Sequence, residues 1–290
     1  MLSIDLITVP YDTGRRGWRM GAGPQALLRA GLMQTLRSAG HDVELIPVES
    51  TAAGDDLSTS FDLATKVARV ARSSRASRRF PLTLSGNCFS TIGSFGSVDP
   101  EATGVLWLDA HGDLNTPETS TSGFLDGMSA AALLGWCHVD RTRDMLAAPL
   151  AESRLMLAGT RDLDPAESAA LQKSSVRMLS AEDAKDETAA AAALDAFAAG
   201  ITSLYLHVDL DVLDPERVGR ANEFASPGGL TSQDVVRLAN AAASRLNFAG
   251  MTLSAYDPAM DTGGAVGRAA LEIIAAVVTA AAEIDHFTTQ

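Results

Sequence analysis

Residues 105–115 read VLWLDAHGDLN, an apolar run followed by three polar side chains at alternate positions. A run with no polar residue is typical of a strand that helices cover on both faces. Alternate side chains of an extended segment point the same way, so Asp109, His111 and Asp113 can converge beyond the end of that strand. This stretch predicts a buried parallel strand that ends in a ligand-bearing loop.

A second stretch, residues 204–215, has the same construction and reads LYLHVDLDVLDP. Asp209 and Asp211 alternate at the end of an apolar run, and His207 lies on the same side one step earlier. In open parallel sheets the carboxyl ends of the strands form the edge at which ligands bind. We therefore expect the two groups to meet there, with His207 supporting a ligand rather than binding a metal itself.

The two groups would bring several carboxylates together in a buried place. Ionising them there is too costly without a bound cation, so the pattern predicts one. Mixed carboxylate and imidazole ligands suit Mn²⁺, Fe²⁺, Co²⁺ or Zn²⁺ better than Ca²⁺. A single group of this kind would more often be a helix cap or a surface turn. Two groups, each ending an apolar strand, favour a divalent metal site, and more readily a pair of ions than one.

The rest of the chain alternates short β-branched runs with Ala-rich helical runs. This alternation predicts an α/β fold, a three-layer sandwich of about eight parallel strands with helices on both faces. No long linker or repeat interrupts it, so we expect residues 1–290 to form a single domain. The predicted strands cover residues 4–9, 43–48, 82–85, 105–109, 155–159, 176–179, 204–209 and 251–255, and the predicted helices cover 24–38, 61–72, 127–134, 165–173, 187–199, 232–246 and 266–284.

Composition excludes several classes of protein. Hydrophobic residues make up 46% of the 290, which excludes a disordered chain, and the net charge of -13 disfavours nucleic acid or an anionic membrane as a partner. Two cysteines, Cys88 and Cys137, build no disulfide framework, so a reduced cytoplasmic setting is expected. The apolar stretch 269–284 contains Glu272 and Glu283, so it predicts a buried helix rather than a membrane span.

Residues 109–123, DAHGDLNTPETSTSG, and residues 207–215, HVDLDVLDP, resemble the two diagnostic segments of the ureohydrolase superfamily, the arginases and agmatinases. Residues 10–24, 159–165 and 228–231 are similar to three further segments of that superfamily. The resemblance implies an arginase-like sandwich that hydrolyses a C–N bond of a small guanidino or hydroxyguanidino substrate. It also implies a metal-activated water, a manganese pair and a homo-oligomer, a trimer or hexamer.

The resemblance also implies a role for each matching residue. Asp109 and Asp209 would bridge the two ions, and His111 and Asp211 would complete one site. Asp113 would belong to the other site and take part in catalysis. The positions that keep the family's substrate-binding pattern are Asn115, Ser122 and Asp164.

Cys88 departs from the family pattern. It lies in the segment SGNCFS at 85–90, where a histidine ligand of the second metal is usual. A thiolate is a softer ligand that favours Zn²⁺ or Cu⁺ over Mn²⁺, and binding must displace its proton. This predicts one firm manganese site and a second that is weak or differently loaded. The alternative, a small buried cysteine without a ligand role, is equally compatible with the sequence.

Three further departures concern the substrate. Asp126 replaces a histidine used for proton transfer, so it is a candidate acid or base, or alternatively a cap of the helix that follows. Phe124 replaces a polar residue. Ala255 stands where a glutamate usually pairs with a guanidinium, unless Tyr256 or Asp257 compensates, and such a bond is worth about 1.5–3 kcal/mol. A less basic N-hydroxyguanidine would tolerate that loss. Cysteine at the first ligand position, Cys88, also resembles the family branch that hydrolyses N-omega-hydroxy-arginine.

Two functions remain open at this point. The first is a metal-dependent amidinohydrolase. The second is a catalytically degenerate arginase-like protein with a binding or assembly role, which the changes at Cys88 and Ala255 would explain.

Overall fold

The computed structural model describes residues 1–52 and 55–283. Its centre is an eight-stranded sheet in which every pair of neighbouring strands is parallel. Numbered along the chain, the strands lie in the order β2-β1-β3-β8-β7-β4-β5-β6. Their bounds are Ser3–Val9 (β1), Asp42–Pro47 (β2), Phe80–Ser85 (β3), Thr103–Leu108 (β4), Leu155–Ala158 (β5), Arg177–Leu179 (β6), Ser203–Asp209 (β7) and Asn247–Ser254 (β8).

Helices cover both faces of this sheet. One apolar cluster joins one face to α1, α2 and α8 to α11, and two others join the opposite face to α3, α4, α5 and α7. The three-layer sandwich of eight parallel strands that the sequence predicts is therefore confirmed. The helices are Gly23–Arg29 (α1), Leu32–Ser38 (α2), Asp56–Ala76 (α3), Ser90–Phe95 (α4), Ser129–Leu133 (α5), Val139–Thr142 (α6), Pro165–Leu171 (α7), Ala181–Lys185 (α8), Glu187–Ala198 (α9), Ser232–Ala243 (α10) and Ala265–Glu283 (α11).

Several helix bounds differ from the prediction for local reasons. The helix predicted over 24–38 is two helices, because Gly31 takes a left-handed φ of 93° between them. Helix α3 begins earlier than predicted, where the Asp55 side chain accepts the Ser58 N–H as an N-cap. Helices α4, α6 and α8 were not predicted, since each is too short to show helical periodicity. Ile284, the predicted end of the last helix, lies outside the described residues.

Helix α11 has the length and apolar character of a membrane span. However, 56% of its most apolar window is buried within the fold, and its inner face joins the main core cluster. Within the described residues it is a core helix of the sandwich, as the sequence predicts.

The strand order places the chemistry-bearing segments side by side. The central strands are β3, β8, β7 and β4, and they are fully buried along almost their whole length. In register, Leu108 lies beside Val208, and Asp209 lies beside Ser254. The loops that follow these four strands therefore leave the sheet at one edge and face one another.

Candidate metal centre

Asp109 lies at the floor of this edge, directly after β4. Its Oδ1 accepts the N–H of His111 at 2.7 Å, and its Oδ2 accepts the Trp107 Nε1–H at 3.0 Å. The residue is 1% exposed. Burial is the main cause that raises the pKa of Asp109 to about 6, with the neighbouring Asp211 charge adding to it.

Asp109, His111 and Asp211 form the first ligand cluster, with one ligand atom from each lying within 4.8 Å of the others. His111 Nδ1 is 3.4 Å from Asp109 Oδ1 and 3.3 Å from Asp211 Oδ2. Burial acts to lower the pKa of His111, but these carboxylates outweigh it and raise the pKa to about 12. A proton on His111 offsets the negative charge of Asp109 and Asp211, and a divalent cation bound between the three side chains would offset the same charge. Two carboxylates and an imidazole are also suitable ligands for such an ion.

Asp211 is held from three sides in a short helical turn after β7. Its N–H donates to Asp209 Oδ1 at 2.8 Å, and its Oδ1 accepts the Ala110 N–H at 3.2 Å. Asn222 Nδ2 donates to its other oxygen at 3.3 Å. Burial acts to raise the pKa of Asp211, but its bonds to His111 lower it to about 2.

Asp113 has a buried carboxylate oxygen that forms no hydrogen bond within the described residues. It is buried in a left-handed conformation with φ of 52°, and its Oδ2 has no hydrogen-bond partner among residues 1–52 and 55–283. Burial, with the charge of Asp109, raises its pKa well above the ordinary value. A buried, unpaired carboxylate oxygen is costly, and a cation would remove that cost.

Cys88 follows β3 and joins the same group of side chains. It is 2% exposed, its Sγ donates to Asp209 Oδ2 at 2.9 Å, and it lies 3.2 Å from Ser254 Oγ. Burial, with the charge of Asp209, raises the pKa of the thiol well above its ordinary value. The structure thus brings together all six residues predicted as metal ligands: Cys88, Asp109, His111, Asp113, Asp209 and Asp211.

Asp126 faces the same space from the turn before α5. Its Oδ1 accepts the Phe89 N–H and its Oδ2 accepts Asn87 Nδ2, both at 2.9 Å. Burial is the main cause that raises the pKa of Asp126 to about 8. In the described part of the chain the turn Asp126–Met128 has no side-chain cap. The Asp126 carboxyl therefore holds the cysteine loop, residues 86–89, and does not cap a helix.

A cavity of about 230 Å³ opens above these groups. All three predicted substrate-binding residues, Asn115, Ser122 and Asp164, line this cavity, and Asn115 Nδ2 donates to Asp164 Oδ2 at 2.9 Å. Phe124 and Phe224 line it too, and their rings stack with centroids 5.3 Å apart.

The cavity residues that the sequence interpretation missed include Glu167, Asn222 and Phe224. Glu167 accepts the N–H groups of Leu114 and Asp164, each at 2.9 Å. The Asp-Pro-Ala-Glu pattern at 164–167 is a capping box that could have revealed Glu167. No local pattern marks Asn222 or Phe224, because they come from an irregular segment that only the tertiary fold brings to the site.

Ala255 also lies in the cavity wall. Its carbonyl accepts Asn222 Nδ2 at 3.0 Å. The expectation that Tyr256 or Asp257 compensates for the missing glutamate is not supported. The Tyr256 hydroxyl donates to Asp261 at 2.9 Å, and neither residue is among the described residues that line the cavity.

Eight parallel strands with a buried carboxylate, imidazole and thiol cluster at their carboxyl edge define a metal-site enzyme of the α/β class. The model of the Arginase family matches residues 2–280. Arginase from Brevibacillus brevis is 31% identical over 231 residues, or 73% of this chain and 76% of that protein. Arginase from Bacillus caldovelox is 30% identical over 254 residues, or 81% and 84%. The crystal structure of arginase from Bacillus cereus has a TM-score of 0.84 at 26% identity, covering 95% of this chain and 98% of that one.

The chain belongs to the arginase family. The predicted membership of the ureohydrolase superfamily is confirmed, and so is metal-dependent hydrolysis of a guanidino C–N bond as the activity class. The degenerate, non-catalytic alternative is not favoured.

Proposed function

We propose that the chain hydrolyses a guanidino compound whose reacting group is a weak base, an N-hydroxyguanidine such as N-omega-hydroxy-arginine. One observation carries the proposal. The cluster of Asp109, His111 and Asp211 lies at the floor of a cavity, and the wall of that cavity has Ala255 where the family pattern has a glutamate.

Asp109, His111 and Asp211 would hold the firmly bound ion, proposed to be Mn²⁺. Cys88 and Asp113 would complete a second, altered site, with Asp109 and Asp209 shared between the two. A bound dication lowers the pKa of a coordinated water toward about 7, and that is the chemistry the metal supplies. The protein's own contribution is to hold the ligand atoms in place and keep the floor buried.

Asp113 and Asp126 are the proposed catalytic groups. Both carboxyls are buried and line the cavity, so each faces the reacting end of a bound guanidino group. The bonds from Phe89 N–H and Asn87 Nδ2 fix the plane of the Asp126 carboxyl. We propose that Asp126 gives a proton to the departing nitrogen, the role that the family assigns to a histidine at this position.

The walls of the cavity favour a substrate with one polar end. Asn115, Ser122 and Asp164 supply hydrogen-bonding groups for that end, while Phe124 and Phe224 enclose the chain beside it. Beside the reacting end lies Asn222, an amide without charge. Such a wall binds a neutral hydroxyguanidine without the ion pair that a guanidinium requires.

The test uses pure, manganese-loaded protein and a panel of arginine, N-omega-hydroxy-arginine, agmatine and guanidino acids. We expect kcat/KM for the hydroxylated substrate to exceed that for arginine, with urea or hydroxyurea as the product measured. Ala255→Glu supplies the missing carboxylate and should raise kcat/KM for arginine about 10- to 100-fold, since a charged hydrogen bond is worth about 1.5–3 kcal/mol. Ala255→Gln is the uncharged control. Equal or better turnover of arginine by the unaltered protein would refute this substrate assignment.

We also propose that residues 1–290 form one domain and act as a cytoplasmic homo-oligomer, a trimer or hexamer, without nucleic acid or a membrane as partner. A sheet that runs unbroken through eight strands supports the single domain. The oligomer rests on the family resemblance, and light scattering on the purified chain measures it directly.

A further inference from the structure

A second ligand cluster lies beside the first and contains a histidine. One ligand atom each from Cys88, Asp109 and His207 lies within 4.8 Å of the other two, and all three residues are buried. A thiol, a carboxylate and an imidazole thus meet at one point below the floor of the cavity.

His207 is held rigidly with one nitrogen left free. It lies within β7 and is 0% exposed, and its ring stacks on Trp107 with the centroids 3.7 Å apart. Its Nδ1 is 2.8 Å from Thr91 Oγ1, so that nitrogen has a partner. Its Nε2 has none among the described residues. Nε2 is therefore the nitrogen available to a ligand.

A free nitrogen in this position is not explained by packing alone. A buried polar atom without a partner costs free energy, so a histidine that served only to fill the core would be poorly placed here. His138 also has an unpartnered Nε2, but it is half-buried, and no metal-binding cluster found among the described residues includes it. His207 differs because its neighbours are a thiol and a carboxylate.

We propose that His207 is a metal ligand, and that Cys88, Asp109 and His207 form a site for Zn²⁺ where the family pattern has an oxygen-rich manganese site. Zn²⁺ binds cysteine sulfur, histidine nitrogen and carboxylate oxygen together, whereas Mn²⁺ favours oxygen ligands. A thiolate and a carboxylate also balance the charge of the ion. On binding, the S–H bond of Cys88 breaks and a Zn–S bond forms. The proton leaves by way of Asp209 Oδ2, which already accepts its hydrogen bond and lines the cavity, and is released to solvent.

This site shares Cys88 and Asp109 with the proposed hydrolytic centre, but its occupation requires no turnover of substrate. Its test therefore measures binding of Zn²⁺ alone. The result stands whether or not hydroxyguanidines prove to be substrates.

The first experiment follows the histidine nitrogens of the full chain, labelled with nitrogen-15 at histidine, as Zn²⁺ is added. We expect the Nε2 resonance of His207 to shift as Zn²⁺ saturates the site. His207→Gln identifies that resonance by its loss and should lower Zn²⁺ affinity at least about 10-fold. A His207 resonance that stays in place at saturation would overturn the proposal. If His207→Gln fails to fold, the second experiment tests the site without that variant.

The second experiment is zinc X-ray absorption on the same sample. We expect a sulfur neighbour at about 2.3 Å and nitrogen neighbours at about 2.0–2.1 Å. Cys88→Ser should remove the sulfur neighbour, while the matched controls Cys137→Ser and His138→Gln should keep both the sulfur signal and the His207 shift. Zinc with oxygen and nitrogen neighbours only, in the unaltered protein, would exclude Cys88 and with it the proposed site.

Discussion

At the scale of single residues, Cys88 is the residue that we expect to decide which metal the proposed second site binds. Its Sγ takes the place of an imidazole and donates to Asp209 Oδ2, a carboxylate proposed as a ligand of the same ion. Burial and nearby carboxylates raise the pKa of this thiol, so a hard cation such as Mn²⁺ displaces its proton at a high cost. We therefore expect this one atom to weaken manganese binding at the second site.

Replacing Cys88 by histidine should therefore raise the manganese content, from nearer one ion per chain toward two. Imidazole is the better ligand for Mn²⁺ and needs no deprotonation at neutral pH. Metal analysis after dialysis measures the content, with Cys137→Ser as the matched control. Unchanged manganese in Cys88→His would show that another residue limits the second site.

Asp62 illustrates a residue whose charge stabilises the fold away from the cavity. Its Oδ2 accepts the Ser50 hydroxyl and the Thr51 N–H at 2.8 Å and Lys66 Nζ at 2.9 Å. Burial acts to raise the pKa of Asp62, but these bonds outweigh it and lower the pKa to about 2. The carboxylate therefore fastens the segment after β2 to α3.

Because this pKa is lowered on folding, its contribution is complete above the unfolded value near 3.8 and is lost as the pH falls through about 2. Urea unfolding between about pH 5 and about pH 2 should show a pH-dependent loss, of up to about 1 kcal/mol, that Asp62→Asn lacks. Asp140→Asn, at an exposed position, is the control. Identical pH profiles for Asp62→Asn and the unaltered chain would contradict the role of this charge.

At the scale of elements, the loops after the central strands are held by contacts that strand pairing does not supply. The Arg161 guanidinium donates to the Asp211 and Ser226 carbonyls at 2.9 Å and to the Pro227 carbonyl at 3.0 Å. It thereby joins the loop after β5 to the loop that carries Asp211. A planar fork of five N–H groups suits this arrangement, and an ammonium does not.

Arg161→Lys should therefore destabilise the protein by about 1–3 kcal/mol, because it leaves buried carbonyls unpaired. It should also weaken metal binding, since it releases the backbone of Asp211. Denaturant unfolding and metal titration measure the two effects. Arg143→Lys, in an exposed pair with Asp140, should stay within about 0.5 kcal/mol of the unaltered chain. Equal stability of the two variants would exclude a stabilising role for the hydrogen bonds of Arg161 to the backbone carbonyls.

The cysteine loop depends on a close contact between elements. A Cβ at Gly86 would lie 2.1 Å from the Tyr11 carbonyl oxygen, so the chain can pass there only without a side chain. The segment Tyr11–Asp12, which pairs with Arg15–Arg16, thus packs directly against the loop that positions Cys88. Residues 10–24, which resemble a segment of the superfamily, therefore also help to pack the loop that carries Cys88.

At the scale of the whole molecule, the sandwich carries several carboxyls at its buried edge. Their pKa values are raised mainly because burial disfavours their charged forms. Binding a dication relieves this cost and occurs only in the folded state, so metal and fold stabilise each other.

Saturating metal should therefore raise the melting temperature of the metal-free protein by about 5 °C or more, since ligand at 100 times Kd contributes about 2.7 kcal/mol. Scanning calorimetry with and without Mn²⁺ measures the rise. Asp209→Ala removes a shared ligand and should abolish both the rise and metal binding. A full metal-dependent rise in that variant would remove Asp209 from the site.

The sequence by itself determined the eight strands, the edge at which they open and five of the candidate ligands, because strand periodicity and alternate-residue spacing are local properties. The sixth candidate, Cys88, came from the family resemblance. Only the tertiary structure brought Asn222 and Phe224 to the cavity, and only it showed that the Nε2 of His207 is unpartnered beside Cys88. The break at Gly31 and the short helices also escaped the sequence interpretation, since packing rather than periodicity decides them. Local pattern specifies which way a side chain points, whereas its neighbours across the sheet depend on strand order and on loops distant in the chain.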